Sequence, residues 1–245
     1  MFDHVGIAVS DLAASERFYR TVLSTLGVEP SHADAGLVEW EDWAIGPTDP
    51  EHPVTRGLHV GFRAPGREAV DAFWQAGIDA GRPSDGAPRP RTTYGADYYG
   101  GFLLDPDGNS VEAVHYEREH HVPDGRIDHL WLRVRDPQAS RRFYTTIAPQ
   151  AGLRLGHDSP DRVQLRGSDF SFSLVRDGRP LTEHVHLAFG ASEDATVRQF
   201  HAAAIAAGYE DHGAPGERAV YHHGYYGAFV LDPDGHNVEV VNHNE

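Results

Sequence analysis

The feature that most constrains this chain is a segment that occurs twice, once near the middle and once near the end. Residues 100–114 read GGFLLDPDGNSVEAV and residues 227–241 read GAFVLDPDGHNVEVV, with ten of fifteen positions identical. The beginnings of the two halves align in the same way, MFDHVGIAVSDLAASERFYRTVL with RIDHLWLRVRDPQASRRFYTTIA. An offset of 125 to 127 residues relates the halves. The fold must therefore be one that half of the chain can build and the other half can repeat.

Each half contains the same order of predicted elements twice: a strand, a helix and further strands. Alternating apolar residues predict the strands, and the Asp and Gly residues that flank the periodic segments predict the helix ends. Asp11 and Asp136 are predicted N-caps, and Pro137 stands at the first helical position, which proline favours. Strands are predicted at 2–9, 57–63 and 184–190, and helices at about 12–26, 66–80 and 192–207. The chain is therefore predicted to be α+β.

The segment between the halves has the composition of a linker. Residues 117–126, EREHHVPDGR, are polar and contain proline and glycine. The predicted domains are residues 1–118 and 127–245, joined by a linker at 119–126. Because tandem modules can form within one chain the pairing that single-domain proteins form by dimerising, we expect a monomer or a homodimer.

The charge balance excludes several classes of function. The formal net charge is −16, and all 21 basic residues are arginine. Because nucleic acids and anionic membranes are bound by basic patches, neither is an expected partner. No cysteine is present, so a metal has to be held by His, Asp or Glu. The sequence has no apolar run long enough to span a membrane and no secretory signal, and we expect a cytoplasmic protein acting on a small molecule.

Strand parity places histidines away from the predicted core. Alternate residues of a strand point to opposite faces, so Val5, Ile7 and Val9 share one face and His4 lies on the other. The same parity separates three further histidines from their apolar neighbours: His59, His129 and His186. A sheet that lines a cleft has this pattern.

Glu112 and Glu239 stand among valines and alanine in the last strand of each half. A buried carboxylate is costly unless it is paired or bound to a metal. Two histidines and one glutamate on separate strands suit a divalent metal with open coordination positions. A single strand histidine is more often structural, but three ligand-type residues that recur in both halves favour a metal site. The ligands alone do not select among iron(II), manganese, zinc, cobalt and nickel.

These motifs resemble the vicinal oxygen chelate superfamily, which includes glyoxalase I, extradiol ring-cleaving dioxygenases, fosfomycin-resistance enzymes and bleomycin-binding proteins. The resemblance rests on HVGIAVSDLAASERFY and YYGAFVLDPDGHNVE and covers both halves. It implies two tandem domains, each a pair of βαβββ modules that form a curved, partly open barrel around a metal. It also implies six metal ligands: His4, His59, Glu112, His129, His186 and Glu239. His4 serves either its own half or, as in some members, the neighbouring site, and the same alternative applies to His129.

The fourth strand separates the candidate reactions. Glyoxalase-type members usually supply a further carboxylate there, whereas this chain has DWAIG at 42–46 and DFSFSLV at 169–175. Only Asp42 and Asp169, at the strand starts, carry a carboxylate. Glyoxalase chemistry needs a base close to the metal, so this departure disfavours it. The fosfomycin enzymes are expected to need a strongly cationic pocket, which only arginines could build here.

Three protein ligands leave room for a bidentate substrate and dioxygen, as in the facial triad of non-haem iron oxygenases. Ring-cleaving members also carry a histidine upstream of the final turn, where this chain has His222 and His223 in the second half but Gly95 and Ala96 in the first. At the tyrosine position of those members stands Phe229, for which Tyr225 or Tyr226 could substitute. The second half is therefore the predicted catalytic one, with Trp131 and Arg133 lining its pocket.

Three functions follow from the sequence, in decreasing order of support. The first is an iron(II)-dependent, extradiol-dioxygenase-like oxygenase acting on a small aromatic diol or a dicarbonyl-type substrate. The second is a glyoxalase-like lyase or isomerase that uses zinc, nickel or manganese. The third is a protein that binds a drug or metabolite, which ranks last because such members typically lack the metal ligands that are present here.

Overall fold

The computed structural model describes residues 2–116 and 126–244. Residues 119–125 of the predicted linker lie outside the described part of the chain. The helices are α1 (Leu12–Leu23), α2 (Arg67–Asp79), α3 (Pro137–Ala151) and α4 (Asp194–Ala206). The strands of the first half are β1 (Phe2–Val9), β2 (His32–Ala33), β3 (Val38–Trp40), β4 (Trp43–Pro47), β5 (His59–Arg63), β6 (Ser84–Pro90), β7 (Tyr99–Leu104) and β8 (Ser110–His115). Those of the second half are β9 (Ile127–Arg133), β10 (Arg154–Ser159), β11 (Arg162–Arg166), β12 (Ser171–Val175), β13 (Val185–Gly190), β14 (Glu210–Glu217), β15 (Tyr226–Leu231) and β16 (Asn237–Asn242).

The strands form two mixed eight-stranded sheets. One has the order β14-β15-β16-β13-β1-β4-β3-β2, and the other has the order β10-β11-β12-β9-β5-β8-β7-β6. Each sheet has two edge strands, so neither is closed into a barrel. With four helices, the chain has the predicted α+β class and two tandem domains of the predicted type, with sheets that are curved and open. Among the described residues, no helix combines the length and the apolar character that crossing a membrane requires.

The helix ends follow the sequence signals. The side chain of Asp11 accepts a hydrogen bond from the backbone of Ala14, and that of Asp136 accepts one from Gln138. The first helix ends three residues earlier than predicted, because Ser24–Leu26 tightens into a 3₁₀ turn that ends at the left-handed Gly27. Helix termini often tighten in this way to satisfy their last carbonyl groups.

The strands predicted at 57–63 and 184–190 begin later than expected. Gly57 has φ 70° and His184, its counterpart in the second half, has φ 58°. A left-handed residue interrupts the extended conformation, so β5 starts at His59 and β13 at Val185.

The repeated DPDG turn is tied to the first helix of each half. The buried hydroxyl of Tyr19 donates to Asp105 over 3.0 Å, and that of Tyr144 donates to Asp232 over 3.1 Å. The same aspartates accept backbone N–H groups inside the turn, from Asp107 and Asp234 respectively. A buried acceptor that loses its donors is costly, and this network fixes where β8 and β16 begin. The last strands therefore deliver their glutamates at a defined position.

Two compact units make up the chain, Gly6–Trp131 and Met1–Val5 together with Leu132–Glu245. The division falls within β1 and within β9, so each of these strands contributes to both units. In the first unit the buried side chains include Val60, Phe62 and Phe73, and in the second they include Leu187, Phe189 and Phe200. The predicted apolar face of β1 is buried, while His4 is only partly buried.

Candidate metal centres

The unit Gly6–Trp131 brings together His59, Glu112 and His129, here called the N site. Gly61 on β5 lies directly opposite Glu112 on β8 and His129 on β9. The His129 side chain projects over this glycine, since a Cβ atom at Gly61 would lie 2.4 Å from its ring. The His59 and His129 Nε2 atoms are 3.2 Å apart, and Glu112 Oε2 is 3.2 and 3.3 Å from them.

The other unit brings together His4, His186 and Glu239, here called the C site. The Nε2 atoms of His4 and His186 are 3.0 Å apart. Glu239 Oε2 lies 3.0 Å from His186 Nε2 and 3.7 Å from His4 Nε2. The glutamate is 1% exposed, whereas both histidines are 24% exposed and so reach the surface of the cleft.

The geometry of both sites fits a divalent metal ion. Donor atoms that bind an ion at right angles, about 2.1 Å away, lie about 3 Å from one another. The N site has such a triangle, and at the C site two edges are 3.0 Å and the third is 3.7 Å. Two imidazole nitrogens and one carboxylate oxygen are the donor set of the facial triad. The two alternatives left open by the sequence differ in which strands lie side by side. The structure groups His4 with His186 and Glu239, and His129 with His59 and Glu112, because β1 lies beside β13 and β9 lies beside β5.

A tyrosine hydroxyl holds the second oxygen of each glutamate. Tyr98 donates to Glu112 Oε1 over 2.9 Å, and Tyr225 donates to Glu239 Oε1 over 2.8 Å. A glycine leaves space for each carboxylate, since a Cβ at Gly100 or Gly227 would lie 2.2 or 2.6 Å from that oxygen. Burial and the neighbouring carboxylate raise the pKa of each of these tyrosines. The hydroxyls therefore stay protonated and donate, which leaves Oε2 directed towards the histidines.

The adjacent tyrosine of each pair faces away from the glutamate. The hydroxyl of Tyr99 donates to Asp71 on α2, and that of Tyr226 contacts Arg198 on α4. Of the two tyrosines considered for the second half, it is Tyr225 that contacts the metal-ligand set.

A chain of hydrogen bonds runs outward from the C site. His4 Nδ1 bonds Asp3 Oδ1 over 2.8 Å, and Asp3 Oδ2 bonds His243 Nε2 over 2.9 Å. His243 Nδ1 in turn lies 2.8 Å from His222 Nε2, and the two rings stack with centroids 5.1 Å apart. His222 is exposed. The chain therefore connects a candidate ligand with the solvent.

At the N site the corresponding hydrogen bonds lead to a tyrosine instead of a histidine. His129 Nδ1 bonds Asp128 Oδ2 over 2.9 Å, and Asp128 accepts from the hydroxyl of Tyr116 over 2.6 Å. Tyr116 stands at the position of His243, and Gly95 stands at that of His222. The Tyr116 ring stacks on Tyr98, with centroids 5.4 Å apart.

The electrostatics of the N site reflect its burial. Burial lowers the pKa of the His59 imidazole despite the neighbouring Glu112. Burial also opposes the charge on His129, but hydrogen bonds to Asp128 and Glu112 raise its pKa to about 9. Although burial would raise the pKa of Glu112, hydrogen bonds to the two histidines hold it below its ordinary value. A metal ion that binds here therefore displaces a firmly held proton.

The other residues proposed from the sequence lie in different places. Trp131 lies directly opposite His59, beside the N site rather than the C site, because it follows His129 in β9. Arg133 pairs with Asp177. His223 is exposed, and its backbone carbonyl contacts the ring of His222. Asp42 accepts from the Ile127 backbone N–H and is not grouped with the three candidate ligands of the N site.

Sequence reasoning missed the residues that surround the ligands. Asp3, Asp128, His243 and Tyr116 were not singled out, although the repeated Asp-His dipeptide at the start of each half was visible. Strand alternation sends adjacent residues to opposite faces, and it gives no reason to pair an aspartate with the next residue. His243 comes close to His222 only because β16 lies beside β15.

The family model described as Glyoxalase/Bleomycin resistance protein/Dioxygenase superfamily matches residues 1–113 and 126–240. The chain belongs to this superfamily. Both halves match the same model, so the superfamily domain occurs twice. Each match contains two candidate ligands of one site and one histidine of the other: His4 belongs to the C site and His129 to the N site.

Two solved structures with the same fold align with nearly the whole of this chain. Glyoxalase I from Zea mays is 18% identical with a TM-score of 0.70, and the alignment covers 99% of this chain and 92% of that one. A Bacillus subtilis protein described as a candidate dioxygenase is 15% identical with a TM-score of 0.69, covering 100% of this chain and 85% of that one. At these identities the likeness shows the fold alone. Comparison with curated protein sequences gave no significant match.

Proposed function

We propose that this chain is a metal-dependent enzyme, an extradiol-dioxygenase-like oxygenase that acts on a small molecule with two neighbouring oxygens, such as an aromatic diol. Iron(II) is the favoured metal, and manganese, zinc, nickel and cobalt are the alternatives. Among the described residues, each candidate centre has three candidate ligands, and no second carboxylate is grouped with them as a fourth. Three ligands leave coordination positions for a substrate that binds through two oxygens. When bound, iron(II) would supply the redox chemistry that dioxygen activation requires.

We place the reaction at the C site, and the observation that carries this choice is its hydrogen-bond chain. His4, His186 and Glu239 would hold the metal, and Tyr225 fixes the glutamate. Removing a proton from a diol requires a base within reach of the site or connected to it. His222 and His243 are two imidazoles in direct contact, so a proton taken up by one nitrogen of the pair can leave from the other. In this proposal the N site holds a metal without turnover.

The electrostatic setting fixes the orientation of His243, the imidazole of the pair that contacts Asp3. Burial opposes ionisation of Asp3, but hydrogen bonds to His4 and His243 lower its pKa. An ionised Asp3 orients both imidazoles through its two oxygens, which fixes the nitrogen that each ring presents. Asp3 therefore acts as a positioning residue, and the histidines exchange the proton with solvent.

The experiment that tests the proposal is metal analysis followed by an oxygen-uptake assay. Protein purified without chelator should contain iron, and catechols should stimulate oxygen consumption. Nickel or zinc with turnover of a methylglyoxal–thiol adduct would instead identify a glyoxalase-like enzyme. Protein that takes up no divalent metal would contradict both reactions and indicate a binding protein.

A further inference from the structure

One arginine lies over a phenylalanine ring near each site, and neither was expected from the sequence. Arg91 and Arg218 occupy equivalent positions in the two halves, at the start of the loop that ends in Tyr98 or Tyr225. Their backbone N–H groups donate to the carbonyls of these tyrosines over 2.7 Å. Each arginine is therefore anchored to the residue that contacts the ligand glutamate.

The register of the N-site sheet shows which face Arg91 covers. Glu112 lies directly opposite Phe102, and Phe102 lies directly opposite Gly86. Residues directly opposite one another point to the same face of a sheet. The Phe102 ring is 5.8 Å from that of His59, which places it on the metal-ligand face. The Arg91 guanidinium lies 4.7 Å from the centre of the Phe102 ring, and a Cβ at Gly86 would be 2.8 Å from its Nη2. Arg91 therefore occupies the space above Gly86 on that same face.

The C site repeats this arrangement with different glycines. Arg218 lies 5.5 Å from the centre of the Phe229 ring, and a Cβ at Gly216 would be 2.9 Å from its Nη1. Gly216 is directly opposite Gly227, the residue that leaves space for Glu239. The guanidinium thus lies on the metal-ligand face, beside the strand that faces Glu239.

Neither arginine is neutralised by a carboxylate among the described residues. The Arg91 side chain donates to the carbonyl of Ala87, and its buried Nε has no hydrogen-bond partner. The Arg218 side chain donates to the carbonyls of Ala214 and Glu217. Carbonyl groups leave the positive charge in place, and a guanidinium retains N–H groups suited to a planar carboxylate. In a chain of net charge −16, such a charge gives an anion a local point of attachment.

We propose that the substrate is a small aromatic molecule with neighbouring oxygens at one end and an anionic group such as a carboxylate at the other. The anion pairs with Arg218 at the C site, the ring packs against Phe229, and the oxygens face His4, His186 and Glu239. Gly86 is two strands away from Glu112, a span of about 10 Å, which suits one substituted ring. Arg91 and Phe102 form the same subsite at the N site. This inference rests on the proposed function, because the neighbouring oxygens are assigned to the metal.

The test compares catechol with 3,4-dihydroxybenzoate, which adds a carboxylate to the same ring. Binding of each to the metal-loaded protein is measured by calorimetry under nitrogen. We expect dihydroxybenzoate to bind at least tenfold more tightly. Combined Arg91→Gln and Arg218→Gln substitutions should abolish the preference by weakening dihydroxybenzoate binding at least tenfold more than catechol binding, while Arg218→Lys with Arg91 intact should keep part of it. Arg154→Gln removes the same charge from an exposed strand residue and should change neither affinity.

The binding results distinguish the anionic substrate class from the diol reaction. Equal binding of both probes, unaffected by the arginine substitutions, would overturn the anionic substrate class and leave the diol reaction in place. Failure of both probes to bind would overturn the diol reaction and, with it, the substrate class. A loss of catechol affinity equal to the loss of dihydroxybenzoate affinity in the double variant would show that the arginines only hold the loops, and would also overturn the inference.

Discussion

The N site and the C site have candidate ligands of the same residue types, and they differ in the residues that surround those ligands. Both have two histidines, one glutamate and a tyrosine on the second carboxylate oxygen. At the C site an aspartate leads on to His243 and His222, whereas at the N site it leads to Tyr116. The histidines of the N site are 12–13% exposed and those of the C site 24%. The triad alone therefore does not identify the catalytic site, and the outer hydrogen bonds and the access of solvent distinguish the two.

Removing one glutamate at a time should give the largest difference in turnover between the two sites. Glu239→Ala should halve the bound metal and abolish turnover, because the C site loses the ligand that neutralises the cation. Glu112→Ala should also halve the metal and retain most of the turnover. Elemental analysis and oxygen uptake measure the two effects. Loss of turnover in Glu112→Ala alone would assign the reaction to the N site.

The outer hydrogen-bond chain should have the next largest effect. His243→Phe should lower turnover by about 10²–10³-fold, because it separates His222 from Asp3. The combined substitution of His222 and His223 should lower turnover likewise. Metal content should stay the same in both variants, since no ligand is altered. Tyr116→Phe is the matched change at the N site, and it should leave turnover within about twofold of the original.

An unchanged rate in His243→Phe would exclude proton transfer through this pair. A bell-shaped dependence of the rate on pH that loses one limb in the variant would support it, since a purely structural role would lower the rate equally at all pH values.

The tyrosines that bond Glu112 and Glu239 test a feature that both sites have. Tyr225→Phe removes the donor to Glu239 Oε1 and should weaken metal binding at the C site by about 10–100-fold. Tyr98→Phe should have an equal effect at the N site. Competitive metal titration measures both. Tyr226→Phe and Tyr99→Phe, whose hydroxyls face α4 and α2, are the controls. Equal affinity in Tyr225→Phe and Tyr226→Phe would show that the hydroxyl does not position the carboxylate.

The smallest expected effect is at Asp42, and it concerns how the free energy of unfolding depends on pH. Burial raises the pKa of this carboxyl to about 7, although Arg126 and the Ile127 N–H oppose the shift. Between pH 4 and pH 7 the unfolded chain therefore ionises while the folded chain keeps its proton, and the free energy of unfolding falls as pH rises. Asp42→Asn should raise that free energy by about 1–3 kcal/mol at pH 8 and leave it unchanged at pH 4.

Asp169, the counterpart of Asp42, is more exposed and bonds Ser168. Asp169→Asn is the matched substitution, and chemical denaturation of both variants at the two pH values measures the difference. The same gain at pH 4 and pH 8 in Asp42→Asn would contradict a buried, protonated carboxyl.

Local signals in the sequence were sufficient for the elements and for the candidate ligands. The caps at Asp11 and Asp136, the parity of His59 and the glutamate after each DPDG turn depend on residues only a few positions apart. Left-handed residues such as His184 moved element boundaries, because backbone conformation there is set by the surrounding chain and not by residue type.

By itself, the sequence determined a duplicated α+β fold with four histidines on the non-core faces of strands and a glutamate among apolar residues in each last strand, because periodicity is a local property that survives duplication. Only the tertiary structure decided that His4 joins Glu239 and His129 joins Glu112, because strand order is set by packing between segments more than a hundred residues apart. It likewise decided that Asp3 contacts His243 at one site while Asp128 contacts Tyr116 at the other. The residue types at these positions could be read from the sequence. Their contacts depend on which strands are neighbours, and no local pattern predicts that.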